Sequence, residues 1–332
     1  MEELKDITLG TSFSPEYTEY IYSGDALDIL KTIHKELNIS EFRFGLRWNS
    51  VEQDSNISLS FYKKYLEYAF KEELSLCLNI GPIKTFRWPE EHIPKYLESK
   101  SLPVITKECE LAKYAYEFLH KELSLLKKEY GKNLSKCTFQ IENEGFNKFG
   151  HLGLIMSNEY MYSIAKILNE YFPKNKLMID SAGRQDLRKI VSFFKMLIEE
   201  KLYVSKNLVL GFNYYFKPEG IMTDIFRYLN PVKYALPFAM SIPTLHKFQK
   251  EIGFDMEITE GQFEPWGREK TPGNTYYDFV YLLKNSYVYF PEDMKRKVLR
   301  LWGTEELASK IKNRNLTSEH IQIIDHVRRI NG

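Results

Sequence analysis

The chain has no excess of charge of either sign: 46 Lys and Arg stand against 45 Asp and Glu in 332 residues. A field without a dominant sign gives no reason to expect nucleic acid or an anionic membrane as partner, and points to a neutral small molecule instead. Cysteine is scarce and odd in number. Cys77, Cys109 and Cys137 have no CxxC spacing, which argues against a disulfide framework and a cysteine zinc site and leaves buried free thiols. The seven histidines form neither HxH nor HExxH, so no metal is expected. No GxGxxG follows the first apolar run, no phosphate loop occurs, and no GxSxG elbow is present to hold a nucleophilic serine. No run of 18 apolar residues occurs, and "MEELKDITLG" begins acidic rather than basic. The expectation is a soluble, cytoplasmic protein without a cofactor.

Aromatic residues, by contrast, make up 15% of the chain, with 23 Tyr and 22 Phe, a supply suited to a site that stacks flat apolar faces. Short apolar runs rich in β-formers recur: "DITLGTSF" from Asp6, "EFRFGLRW" from Glu41, "LSLCLNIG" from Leu74, "CTFQIENE" from Cys137, "KLMIDSA" from Lys176, "NLVLGFNYY" from Asn207, "FDMEITEG" from Phe254 and "KVLRLWGTE" from Lys297. Between them lie segments with apolar residues three and four apart, such as "SGDALDILKTIHKEL", "SFYKKYLEYAFKEE", "ITKECELAKYAYEFLHKELSLLKKEY", "NEYMYSIAKILNEYF" and "QDLRKIVSFFKMLIEE". Strand alternating with helix over this length predicts an α/β fold, a single (β/α)8 TIM barrel. No linker-like block divides the chain, so residues 1–332 are read as one catalytic domain, with two long connections over 82–103 and 215–238.

Chemistry in such a barrel sits at the carboxyl ends of the strands, where these runs turn polar and aromatic. The second leads to Arg43, Arg47 and Trp48, the third to Lys84 and Trp88, the fourth to Asn143 and Glu144. The sixth leads to Asn213 and Tyr215, the seventh to Glu260, the eighth to Trp302. "FQIENEGF" and "ITEGQFEPW" thus each end a run on a carboxylate, and fourth and seventh strands face one another across a barrel mouth. Two opposed carboxylates flanked by aromatics suit glycoside cleavage, one protonating the departing oxygen and the other attacking or stabilising a positively charged anomeric carbon. Glu142 competes with Glu144, since either could point inward, and Arg43 has Glu41 as a rival partner to a carboxylate in the mouth. Gln262, Glu264 and Trp266, beside Glu260, are substrate contacts or its supports. His92 reads as structural.

On these residues the chain resembles the clan A glycoside hydrolases, retaining (β/α)8 enzymes. Their acid/base Glu follows an Asn after strand four, and their nucleophile Glu ends strand seven. "ENEG" supplies Asn143 and Glu144, and "ITEG" supplies Glu260. "FRFGLRW" is similar to a strand-two motif of the β-glycosidases of family 1, as is "GFNYY" to their "NYY", and "LRLWG" places a Trp at strand eight. The resemblance spans about residues 6 to 305. It implies Glu144 as acid/base, Glu260 as nucleophile, Arg43 as the group that keeps Glu260 ionised, and Asn143 as a ligand of the sugar 2-hydroxyl. It further implies a hydrogen bond from Tyr215 to Glu260 and Trp302 as the floor under the reacting sugar. "LNIGPIKTFRWPEEHIP" lacks the family's HWD motif, so no family within the clan follows, and Lys84, Trp88 and His92 are candidate replacements. The implied function is retaining hydrolysis of a β-linked O-glycoside in a soluble small-molecule carbohydrate. The alternatives are a transglycosidase using the same residues, a non-catalytic carbohydrate-binding barrel, and a Schiff-base aldolase using Lys84.

Overall fold

The computed structural model describes residues 6–22, 25–53, 56–182, 186–215, 240–262 and 276–332, the side chain of Tyr215 excepted. Eight parallel strands close into a barrel in chain order: β1 (Ile7–Phe13), β2 (Glu41–Gly45), β3 (Ser75–Asn79), β4 (Thr138–Gln140), β5 (Lys176–Ser181), β6 (Leu208–Tyr215), β7 (Asp255–Gln262) and β8 (Lys297–Trp302). Strand β8 returns to β1, with Thr8 opposite Val298 and Thr11 opposite Leu301. Closure satisfies both sides of every strand and leaves no edge, and with helices outside it this is a (β/α)8 barrel. Each of the eight apolar runs supplies one strand.

The helices cover the barrel because their apolar residues share one face. Ala26–Glu36 starts at Asp25, whose carboxylate accepts the Leu27 N–H at 3.0 Å, and buries Ala26, Ile29, Leu30 and Ile33. Asn158–Tyr171 is capped by Ser157 and buries Tyr160, Met161, Ile164, Ala165, Ile167 and Leu168. Two boundaries differ from the sequence pattern. The long helix Glu110–Leu134 starts after Ile105, which instead pairs with Met156 in a short parallel bridge. The β4 ladder stops at Gln140, short of Asn143 and Glu144, because Glu142 and Glu144 have φ of 43° and 46°, a left-handed backbone that no strand can continue. No helix among the described residues is long and apolar enough to cross a membrane.

Inside the barrel the two ends are built differently. Toward the amino ends of the strands, Arg296 bonds Glu41 at 2.7 Å and Glu257 at 3.2 Å, and Arg300 bonds Glu257 and lies 3.7 Å from Glu41. Glu41 is therefore committed to these two arginines and not to Arg43. A small apolar layer of Cys77, Met178 and Val209 is also buried within. All three cysteines are buried and free.

One core position breaks the pattern. Glu122 is fully buried on the inner face of Glu110–Leu134 among Phe118, Leu119, Leu123 and Leu126, and neither carboxyl oxygen has a hydrogen-bond partner among the described residues. Burial alone pushes its pKa well above the usual carboxylate value. The folded chain therefore keeps a proton that the unfolded chain releases above its ordinary pKa near 4.5, so stability is lost as pH rises from there. Glu122→Leu should stabilise the fold by about 1–3 kcal/mol at neutral pH, and by less at pH 4. Urea denaturation at the two pH values checks both the gain and its slope.

Candidate active site

Arg43 organises the carboxyl end of the barrel. It is wholly buried on β2, and its five N–H groups all find acceptors. Nε donates to Gln140 on β4 at 2.7 Å. Nη1 donates to Glu260 on β7 at 2.8 Å and to Ser12 on β1 at 3.2 Å. Nη2 donates to Asn143 Oδ1 at 2.5 Å and to Asp180 on β5 at 3.2 Å. The guanidinium also lies over Phe86, 4.2 Å from the ring centroid. A buried guanidinium is stable only when its charge is paired and its donors are used, and here two carboxylates and three neutral oxygens do both.

Glu260 and its neighbour Thr259 both reach site groups, although consecutive residues on a regular strand point to opposite faces. The β6–β7 register shifts here: Phe212 pairs with Ile258 but Asn213 with Glu260, so the ladder is irregular and its side chains are re-aimed. The Thr259 hydroxyl donates to Asn213 Oδ1 at 2.7 Å, which turns the Asn213 amide so that Nδ2 donates to Glu144 Oε1 at 2.5 Å. Asn147 Nδ2 reaches the other Glu144 oxygen at 3.3 Å, and the Glu144 N–H donates to Asp180 Oδ1 at 2.8 Å. Burial first, then the negative charges of Glu260 and Asp180, push Glu144 up to about 8. Asp180 is pushed up to about 6 by burial, with the charge of Arg43 opposing.

Glu142, the rival of Glu144, has a different occupation. Its carboxylate accepts the backbone N–H of Lys84 at 2.6 Å, that of Ile83 at 3.3 Å and the Tyr160 hydroxyl at 2.6 Å. It pins the connection after β3 to the one after β4. Glu91 does the same further out, accepting the N–H groups of Leu152 and Leu154. The buried Lys84 ammonium donates to the carbonyl oxygens of Glu144 at 3.4 Å and Asn147 at 3.2 Å. His92, buried and bonded to the Arg87 carbonyl, is pushed down to about 3 by burial and the charge of Arg47, and is neutral.

Of the residues singled out in the sequence, Arg43, Asn143, Glu144, Asn213, Glu260 and Lys84 join one buried network. Asn213 and Lys84 hold Glu144 itself. Trp302 is buried beside them, edge-on to Phe86, with the Arg87 guanidinium over its ring at 4.0 Å. Arg87 also lies over Tyr17 at 4.1 Å and bonds Glu305 at 2.7 Å. Gln262 is buried opposite Trp302 in the β7–β8 ladder. Trp88 stands 65% exposed, against Phe149, and so at the rim. Trp48 is buried and stacked on Phe118, and Arg47 bonds Ser14, both outside the network. Glu264, Trp266 and the Tyr215 side chain lie outside the described residues.

Two carboxylates of the network escaped the sequence reading. Asp180 ends the fifth run, "KLMIDSA", by the same apolar-to-carboxylate signature that singled out Glu260, so a signal was present. Glu90, in the connection after β3, had none. It is buried, accepts from Asn143 Nδ2 at 2.7 Å, and is pushed well above the usual carboxylate range by burial and the charges of Glu144 and Glu260.

The fold and site together define a (β/α)8 barrel with a buried, carboxylate-rich mouth. No protein-family model matches the chain, and no curated protein matches it in sequence. Solved structures do. The chain is similar to the catalytic domain of beta-amylase from Paenibacillus polymyxa, with a TM-score of 0.57, 9% identity and 99% of each chain covered. It is also similar to a GH5-4 broad specificity endoglucanase from an uncultured bovine rumen ciliate, with a TM-score of 0.56, 14% identity, and 99% of this chain and 97% of that one covered. Thermotoga maritima Cel5A in complex with a mannotriose substrate gives a TM-score of 0.55 at 17% identity, over 98% of this chain and 99% of that one. At these identities the likeness establishes the fold.

The contrast between the two glutamates of "ENEG" is open to a direct check. Glu142→Ala removes three hydrogen bonds that hold two connections together and should cost roughly 2–4 kcal/mol of stability. Glu144→Ala removes a carboxyl from beside three others and should leave stability within about 1 kcal/mol of the parent, or raise it. Thermal unfolding of the two variants side by side measures the difference, and equal losses would contradict it.

Proposed function

We propose that the chain is a retaining glycoside hydrolase, acting as one barrel domain on a soluble, β-linked saccharide or glycoside. The observation that carries this reading is the pair of unlike carboxyl groups at one mouth. Glu260 is ion-paired with Arg43, and Glu144, whose carboxyl is in no ion pair among the described residues, is pushed up to about 8. A nucleophile and a proton donor need that division. The similar folds include proteins described as an endoglucanase, a family 10 endo-beta-1,4-xylanase and a mannotriose complex, which favours a saccharide substrate.

In the first step a Glu260 oxygen attacks the anomeric carbon while the Glu144 proton passes to the departing glycosidic oxygen, giving an alcohol and a glycosyl ester. In the second, the Glu144 carboxylate takes a proton from water, whose oxygen attacks the same carbon and releases Glu260. Asn213, Asn147 and Lys84 hold Glu144 during both steps. A sugar hydroxyl in place of water would turn the same sequence into transglycosylation, and product analysis with added acceptors separates the two outcomes.

The donor role of Glu144 sets the pH dependence. Its proton is present below its pKa and lost above it, so turnover of a glycoside with a poor leaving group should fall as pH rises through about 8. Glu260→Ala should abolish turnover on every substrate, and azide should then yield a glycosyl azide of inverted configuration. Glu144→Ala should still glycosylate Glu260 in a burst when the leaving group is good, while turnover of poor ones drops by about 10²–10⁴. Azide should restore its turnover with retained configuration. The same azide product from both variants, or the burst phenotype in Glu142→Ala, would overturn the assignment.

A further inference from the structure

We propose that Asp180 is a positioning residue that couples Arg43 to the backbone of Glu144, so that one carboxylate fixes both the cation beside Glu260 and the aim of Glu144. The proposal rests on the reading of Glu144 as the acid/base. Asp180 is fully buried at the carboxyl end of β5 and uses its two oxygens separately: Oδ1 accepts the Glu144 N–H at 2.8 Å, and Oδ2 accepts Arg43 Nη2 at 3.2 Å. Both contacts go to site groups.

Glu144 needs such a hold. With φ at 46° it occupies a left-handed conformation that a residue other than glycine keeps only when its surroundings impose it. Its peptide groups are held on both sides, the N–H by Asp180 and the carbonyl by Lys84. Space for this arrangement is provided by Gly211 on β6, where an added Cβ would lie 2.8 Å from the Asp180 Cβ. An amide cannot substitute for the carboxylate. Two donors face the two oxygens, and an asparagine would turn its own N–H groups toward one of them.

The charge matters as well as the hydrogen bonds. Glu144 is faced by Glu260 from β7, Asp180 from β5, and Lys84 and Glu90 from the connection after β3, and Arg43 from β2 faces Glu260 and Asp180 in turn. Neutralising Asp180 removes one negative charge from this set and leaves more of the Arg43 charge uncompensated. Both changes favour the Glu144 anion, so its titration must move to lower pH.

The test is Asp180→Asn in the full chain, read in two ways. Carboxyl-carbon NMR of the ligand-free protein, with the Glu144 resonance assigned through Glu144→Gln, should show the Glu144 midpoint displaced toward acid by roughly one pH unit. Kinetics should show kcat/KM, which reports the first step, down about 100-fold for a poor leaving group and little changed for a good one. An unmoved Glu144 titration, or equal losses for both leaving groups, would show that Asp180 serves only the fold. Where the asparagine variant does not fold, Asp180→Ser, smaller and equally uncharged, carries the same two readouts. Should the parent cleave no glycoside, the reading of the site fails, while the NMR measurement still decides whether Asp180 governs Glu144.

Discussion

The mouth of the barrel depends on one buried cation. Arg43 carries a charge that cannot be left unpaired in a closed interior, and a planar fork whose five N–H groups point in fixed directions. The fold meets that demand with acceptors from β1, β4, β5, β7 and the connection after β4. Each of those strands must therefore end its apolar run on a polar residue at one particular level. The polar ring at the mouth and the position of Glu260 are two consequences of the same constraint.

Two carboxylates already share that cation, so any further carboxyl in the mouth meets a field that disfavours its charge. Glu144 and Glu90 both lie there, and both are pushed upward by burial and by their negative neighbours. Glu142, two residues from Glu144, is also pushed up, to about 7, by burial, but backbone amides and a tyrosine hydroxyl occupy its oxygens and tie it to the connections. Identical side chains thus acquire different capacities from what surrounds them. At the opposite end of the barrel, Glu41, Glu257, Arg296 and Arg300 are matched two against two. That cluster balances its own charge, which suits a structural plug rather than a site of proton transfer.

The connections after β3 and β4 behave as one structure. Glu142 and Glu91 reach from one to the other through backbone N–H groups, Lys84 returns to the carbonyls of Glu144 and Asn147, and Asn143 bonds Glu90. A substitution in the β3 connection is thereby felt at Glu144 through its own peptide groups. The support of this segment is built from carboxylates and a lysine.

Much of the architecture was legible in the sequence, because strand and helix declare themselves through local periodicity: eight apolar runs became eight strands, and helix faces followed three- and four-residue spacing. The same local rule located Glu260 and Glu144, and applied evenly it would have located Asp180. What it could not decide is which of Glu142 and Glu144 enters the network. A strand puts residues two apart on the same face, and only the left-handed turns after Gln140 separate them. Nor could it reveal Glu90 or the β7 irregularity at Glu260, or show that Asn213 and Lys84 bear on Glu144. The partners of Arg43 lie between 31 and 217 positions from it along the chain. Short-range pattern carries no information about such pairings; barrel closure creates them, by bringing the ends of distant strands within reach of one side chain.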